Sequence, residues 1–354
     1  MHADANAPRT LSDLSPKEAE ALVAKLGEKP YRAKQLLRAA WHSGARTFDE
    51  MTSLPAAFRR RLAGEIAPRA LAPAGELVSA DGLTVKRLHE TWDGHEIESV
   101  WMEVPKSERG RARLAVCISS QIGCAFRCAF CASGRGGLVR SLRAAEIAEQ
   151  ALAPDGGRPS HVVIMGMGEP LSNYDEVLGA IRILNAPWGP GIGARRITVS
   201  TLGVIAGIRR LAEEGLELEL AISLHAPNDA VRKVLCPHAP SAVAEIVRAA
   251  RHWSRRTKRL VTFEYALARG LNDAPAHARE LAEVIKGLAA KVNLIPLNPI
   301  EGSGLRPSSP EAARRFRDAL SSAGVNVTIR KERGADVDAA CGQLRWRRLQ
   351  GGDE

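Results

Sequence analysis

Cys124, Cys128 and Cys131 stand within the stretch Cys124-Ala125-Phe126-Arg127-Cys128-Ala129-Phe130-Cys131, spaced C-x3-C-x2-C. Thiolates bind soft metals, and free cysteines have no reason to gather in one loop, so the triplet reads as a ligand set. A structural zinc site normally takes four ligands, often as two separated cysteine pairs, and no second pair follows here. His161 and His225 are the imidazoles that would complete a zinc site, which stays open on these residues alone. An iron–sulfur electron carrier would supply a fourth cysteine. A [4Fe–4S] cluster held by three thiolates needs no further protein ligand and keeps one iron open, an arrangement useful where something binds that iron. A second stretch, Gly166-Met167-Gly168-Glu169-Pro170, combines glycines that let backbone approach a ligand with an acid that can meet a cation. Read alone it is a turn. Cys117 read alone is a buried strand residue, Cys341 a spare thiol beyond Arg330, Lys331 and Arg333, and Cys236, beside Pro237, a structural cysteine.

These residues need a scaffold. The chain has 354 residues, 45% of them hydrophobic, enough for one large domain with a smaller companion. Six cysteines, half of them in one loop, do not form a secreted disulfide framework. The start of the chain lacks a basic segment followed by an apolar one, and no run of about 18 apolar residues occurs, which predicts a cytoplasmic protein. The net charge of +10 attracts polyanions. Its clusters are Arg59-Arg60-Arg61, Arg345-Trp346-Arg347-Arg348 and the segment from Arg251 to Arg259, where Trp253 reads as helix packing.

Ser15-Pro16-Lys17-Glu18 predicts a capped helix start, and a second helix follows from Tyr31 with Leu36, Leu37, Ala40 and Trp41 on one face. Alternation in Thr84–Leu88 and Ile97–Met102 around Asp93-Gly94 predicts a hairpin. Six β-rich runs then alternate with helical segments: Leu114–Ser119, His161–Met165, Arg196–Ser200, Leu218–Leu224, Leu260–Tyr265 and Val292–Pro296. Val325–Arg330 is a further candidate strand. This rhythm predicts a parallel α/β sheet, open or curved into a barrel, with functional residues just past the carboxyl ends of its strands.

The triplet, with Phe130 before its last cysteine, follows the first of these strands, and Gly166-Met167-Gly168-Glu169-Pro170 follows the second. Together they resemble the radical S-adenosylmethionine (SAM) superfamily. That resemblance implies that the open iron chelates SAM and that a cluster electron breaks its sulfonium bond to give a 5′-deoxyadenosyl radical. Four more stretches narrow it: Cys117-Ile118-Ser119-Ser120-Gln121-Ile122-Gly123-Cys124, Ser223-Leu224-His225-Ala226-Pro227-Asn228-Asp229, Val292-Asn293-Leu294-Ile295-Pro296-Leu297-Asn298-Pro299 and Asp338-Ala339-Ala340-Cys341-Gly342-Gln343-Leu344. From about residue 12 to 349 the chain is similar to the RlmN/Cfr family of radical SAM RNA (adenine) methyltransferases, most of all to its RlmN members.

The family implies a fold: a partial (β/α)6 radical SAM barrel over 110–300, a small N-terminal helical RNA-contacting domain over 1–72, a β-hairpin extension over 73–109 and a C-terminal segment over 301–354. It implies one [4Fe–4S] cluster on Cys124, Cys128 and Cys131, and SAM against Gly168, Glu169, Ser200, Ser223, Leu224, His225 and Asn298. It also implies catalytic roles. A ring carbon is a poor nucleophile, so Cys341 first takes a methyl from SAM. A radical from a second SAM removes a hydrogen from that methyl, which adds to adenine. Cys117 attacks the Cys341 sulfur to free the product as a disulfide forms, and Glu98 accepts a ring proton. The implied product is the C2-methylated adenine, with C8 as the alternative. The implied partners are 23S rRNA, tRNA and a flavodoxin-type electron donor, with no membrane and a monomeric enzyme. Another radical SAM enzyme, or a non-catalytic zinc or iron–sulfur RNA-binding protein, are the rival readings.

Overall fold

The computed structural model describes residues 7–105, 113–153, 157–298, 300, 302–330 and 334–337. Cys341 lies outside the described residues.

The chain opens with three helices, α1 (Pro16–Lys25), α2 (Arg32–His42) and α3 (Ala56–Ala63). α1 starts where the sequence places it. Ser15 Oγ accepts from the Glu18 amide, and the Glu18 carboxylate accepts from the Ser15 amide at 2.9 Å. Leu36, Leu37, Ala40 and Trp41 form the buried face of α2.

Strands β1 (Leu71–Val78), β2 (Thr84–Thr91) and β3 (Glu96–Val104) form an antiparallel meander. The expected hairpin is β2–β3, and Gly94 at its turn has a φ of 75°, open to glycine at little cost. β4 (Arg113–Cys117) pairs antiparallel with β3, so meander and barrel share one sheet. After β4 come the short antiparallel pair β5 (Gln121–Gly123) and β6 (Leu138–Ser141), α4 (Ala144–Glu149), β7 (His161–Ile164), α5 (Tyr174–Asn185), β8 (Ile197–Thr201), α6 (Ile205–Glu213) and β9 (Glu219–Ser223). Next are α7 (Asp229–Leu235), α8 (Val243–Thr257), β10 (Val261–Leu267), α9 (Pro275–Ile285), β11 (Ala290–Pro296), α10 (Pro310–Ser322) and β12 (Asn326–Ile329).

The large sheet runs β1-β2-β3-β4-β7-β8-β9-β10-β11-β12, parallel from β4 onward. All six expected barrel strands are present in sequence order, and β12 continues the parallel run beyond them. Every residue of β10 is buried, as a strand covered on both faces requires.

One carboxylate makes several of the bonds that tie the helical unit to the barrel, beside the ion pair of Asp13 with Arg143 at 3.2 Å. Glu149, at the end of α4 and buried, accepts from Ser12 Oγ and from the Ala70 and Leu71 amides at 3.0 Å. Burial pushes its pKa above the ordinary carboxylate value. Glu149→Ala strands three buried donors, so it should lower stability by about 3 kcal/mol, measured as a drop in the urea midpoint. A loss under ~1 kcal/mol would show that the join rests on apolar packing instead.

Candidate functional site

The carboxyl ends of the parallel strands open onto one cleft of about 970 Å³, its open mouth included. Cys124, Cys128 and Cys131 line one side of it. Gly168 and Glu169 enter from behind β7, Ser200 from β8, Ser223 and His225 from β9, and Asn298 from behind β11. Strand polarity explains the convergence: each residue lies at or just past the end of a strand, where the following loop turns outward.

The cysteine loop lies between β5 and β6. Its backbone is anchored by the Cys124 amide on Gly137 O at 2.9 Å, the Cys131 amide on Cys128 O at 3.0 Å and the Ala129 amide on Leu235 O at 2.9 Å. Burial pushes the Cys124 thiol up to about 11, so a metal must displace its proton on binding. The neighbouring Cys236 thiol, and then burial, hold the Cys128 thiol well above its usual range.

Among the described residues no three His, Cys, Asp or Glu side chains converge on a single ion position. A cubane takes one thiolate per iron, so its ligands stand further apart than those of one zinc ion. His161 is the first residue of β7, at the end of the strand away from the cleft, and its ring hydrogen-bonds Ser160 Oγ at 2.9 Å. The zinc set that would have used it is not assembled.

Glu169 is 4% exposed. Its carboxylate accepts from the Leu202 amide at 2.7 Å and the Leu171 amide at 3.1 Å. Burial nonetheless raises its pKa to about 7, the response of a carboxylate enclosed without a full counter-charge. Gly168 has a φ of 98°, and a Cβ there would lie 2.5 Å from the Gln121 side chain. Only glycine permits this approach, which brings the Glu169 amide within 2.8 Å of Gln121 Oε1.

His225 is left-handed, with a φ of 60°, and its Nδ1 accepts from the Ala266 amide at 3.0 Å. That bond fixes the proton on Nε2, and burial holds the ring pKa down at about 3, so His225 is a neutral donor at physiological pH. The edge of Phe130 packs on it with ring centroids 4.6 Å apart. Leu224 is buried and does not line the cleft. Its backbone does the work there, accepting with Leu202 and Ser223 from the buried Arg232 guanidinium, which ties together the ends of β8 and β9.

Cys117 and Glu98 lie outside the cleft lining, Cys117 on β4 and Glu98 on the adjoining strand β3 of the meander. Cys117 ends β4 opposite Val100 of β3, and Glu98 is two residues along β3 from Val100. Pleat alternation therefore puts Glu98 and Cys117 on the same sheet face. Glu98 is buried beside Lys86 Nζ at 3.7 Å, and its carbonyl accepts from Ser119 Oγ at 2.7 Å.

Sequence reasoning did not identify Arg232, Lys86 or the buried Glu264, which lines the cleft and accepts from Asn293 Nδ2 at 2.8 Å. Only the alternation in Thr84–Leu88 hinted at an inward Lys86. Trp253 is fully buried in α8, as its helix-packing reading requires. Near it, Arg251, Arg256 and Arg259 bond Lys286 O, Glu213 and Glu219. A different basic groove joins Lys34, Arg38 and His42 of α2 to Trp188 after α5.

Comparison with known proteins identifies the family and the fold. Residues 118–282 match the family described as the Radical SAM superfamily, and residues 10–67 match the Ribosomal RNA large subunit methyltransferase N-terminal domain. The chain is 46% identical over 344 residues to the probable dual-specificity RNA methyltransferase RlmN of Symbiobacterium thermophilum, covering 95% of this chain and 91% of that protein. It is 42% identical over 343 residues to the ribosomal RNA large subunit methyltransferase N of Nitrosopumilus maritimus, covering 94% and 97%. A crystal structure of a radical SAM methyltransferase from Sphaerobacter thermophilus superposes with a TM-score of 0.90 at 42% identity, over 96% of this chain and all of that one. Matched over 95% of its length by a relative of 46% identity, the chain belongs to the RlmN family of radical SAM methyltransferases.

Proposed function

We propose that this protein methylates C2 of adenine in 23S rRNA and in tRNA, through a methyl group carried on Cys341 and a covalent RNA adduct resolved by Cys117. The observation that carries the reading is the cleft itself. Three soft thiols, a buried acid short of a counter-charge and a neutral imidazole donor face one volume, on a chain of this family. That donor set fits a [4Fe–4S] cluster on Cys124, Cys128 and Cys131 with SAM beside it. When bound, the cluster and SAM supply methyl groups and the radical that removes a hydrogen atom.

The chain's own residues do the rest. Glu169 is suited to receive the SAM ammonium, and His225 Nε2 and Ser223 to donate hydrogen bonds. Cys341 accepts a methyl as a thioether, and that carbon, once short of a hydrogen, bonds to C2. Glu98 takes the ring proton. The Cys117 thiolate then attacks the Cys341 sulfur: the S–S bond forms, the carbon–sulfur bond breaks with its electron pair left on carbon, and that carbon takes a proton to complete the methyl group. The one surplus electron left by the radical addition passes to an external one-electron acceptor, and methylated RNA leaves. An external reductant, of the kind a flavodoxin-type donor provides to the cluster, is also needed to reopen the disulfide. Phosphates along the basic groove of α2 would give salt-dependent RNA affinity, while the target base is splayed from its stack.

The test is anaerobic reconstitution with iron, sulfide, SAM, reductant and rRNA or tRNA, followed by nucleoside mass analysis. The expected product is 2-methyladenosine. Formation of 8-methyladenosine would move the assignment to C8, and SAM cleavage without any methylated adenosine would point to another radical SAM reaction.

A pH dependence follows from Glu169. Its pKa near 7 leaves it largely protonated at pH 6 and ionised at pH 8, and only the ionised form attracts a cation. SAM affinity should therefore rise about tenfold between those values, read by titration calorimetry on reconstituted protein. Glu169→Gln should bind more weakly and lose that dependence; an unchanged slope would remove Glu169 from the role.

A further inference from the structure

Cys236 is the one cysteine among the described residues to which the reaction above gives no task. It caps the carboxyl end of α7, is 1% exposed, and sits in a small apolar cluster with Leu202, Leu235 and Ala268. Phe126, Cys128 and Phe130 of the cysteine loop pack against that cluster. Packing on this cluster brings the Cys128 thiol into interaction with that of Cys236. Backbone on both sides holds them there: the Ala129 amide bonds Leu235 O at 2.9 Å, and the Cys236 amide bonds Arg232 O at 2.7 Å. Cys128 lines the cleft and Cys236 does not, so Cys236 stands behind the ligand rather than beside it.

We propose that Cys236 is a positioning residue for the iron–sulfur cluster: its thiol donates a hydrogen bond to the Cys128 sulfur when that sulfur holds iron, and so raises the cluster's reduction potential. The inference rests on the cluster assigned to the triplet. Iron takes the place of the Cys128 proton, which leaves that sulfur an acceptor only and makes Cys236 the donor of the pair. Reduction adds negative charge that spreads onto the ligand sulfurs, and a donor aimed at one of them favours the reduced form. The latch from Ala129 to Leu235 keeps the donor in place without any movement of the cleft.

The experiment is an anaerobic potentiometric titration, followed by electron paramagnetic resonance, of the reconstituted parent protein, Cys236→Ala and Cys236→Ser. Cys236→Ala should lower the ratio of reduced to oxidised cluster at a fixed potential by about threefold, roughly 30 mV for a one-electron couple. Cys236→Ser, which keeps a donor, should recover part of that shift. If the alanine variant does not fold, double-resonance spectra of the reduced parent in H2O and D2O still decide the matter, because the donor proton should appear as an exchangeable coupling near the cluster. A Cys236→Ala potential equal to the parent's, or no exchangeable proton, would overturn the inference alone. Lower iron content in a folded Cys236→Ala would also overturn it, by making Cys236 a ligand. A parent protein that takes up no cluster would overturn the cluster reading and the inference together.

Discussion

Cys117→Ala protein given SAM, reductant and RNA should end the reaction with RNA covalently attached and released product down by more than about a thousandfold, the scale of losing a nucleophile. The reason lies in the division between the two thiols. In the proposed sequence Cys341 would still take a methyl and still form the carbon bond to adenine, because neither of those proposed steps calls on Cys117. Only the carbon–sulfur bond would remain uncleaved, for want of a thiolate to attack the Cys341 sulfur. Labelled RNA that migrates with protein on a denaturing gel is the readout, and Cys341→Ala in the same chain should abolish the band. If Cys117 is merely a packing residue of β4, its truncation should cost at most about 1–3 kcal/mol of stability and leave free methylated RNA as the product.

The second large effect concerns the triplet. Cys124→Ala, Cys128→Ala and Cys131→Ala should each give folded protein with depleted iron and sulfide, no visible iron–sulfur absorption and methylation reduced by more than about a thousandfold. Folding should survive, since the barrel core is assembled from strands and helices elsewhere. The loop itself is held by backbone bonds that do not involve the thiols. Protein that keeps full iron and sulfide after loss of any one of the three would place the metal elsewhere. Circular dichroism distinguishes a lost cluster from a lost fold.

Much of the architecture was legible because its signals are local. The Ser15–Glu18 capping box, the Asp93-Gly94 turn and six short β-rich runs each specify an element from neighbours in sequence. β1 was not legible. Its sequence Leu-Ala-Pro-Ala-Gly-Glu-Leu-Val contains Pro73 and Gly75, which weaken a strand, and its pairing with β2 shifts register between those residues. Of α8 only the packed Trp253 was legible, because its Arg-rich end reads as a charged surface. Yet Val243, Ile246, Val247, Ala250 and Trp253 form a buried helical face.

The site divides in the same way. Spacing revealed the triplet, and placement after predicted strands pointed to Glu169 and His225. Arg232 gave no signal, since its targets are three carbonyls at the ends of two other strands. Nor did the sequence show that Cys236 meets Cys128. They are more than a hundred residues apart, and only the packing of α7 on the cysteine loop joins them.

The close packing at Gly168 has a consequence for inheritance. A single methyl there would strike Gln121, and one at Gly166 would come within 2.8 Å of the Ile118 backbone. Neither glycine has a side chain with which to bind or react. In a library of random variants, these two positions should nevertheless tolerate as few replacements as the cysteines. A survey of tolerance alone would thus mark silent residues as indispensable, and what it would be detecting is the absence of room.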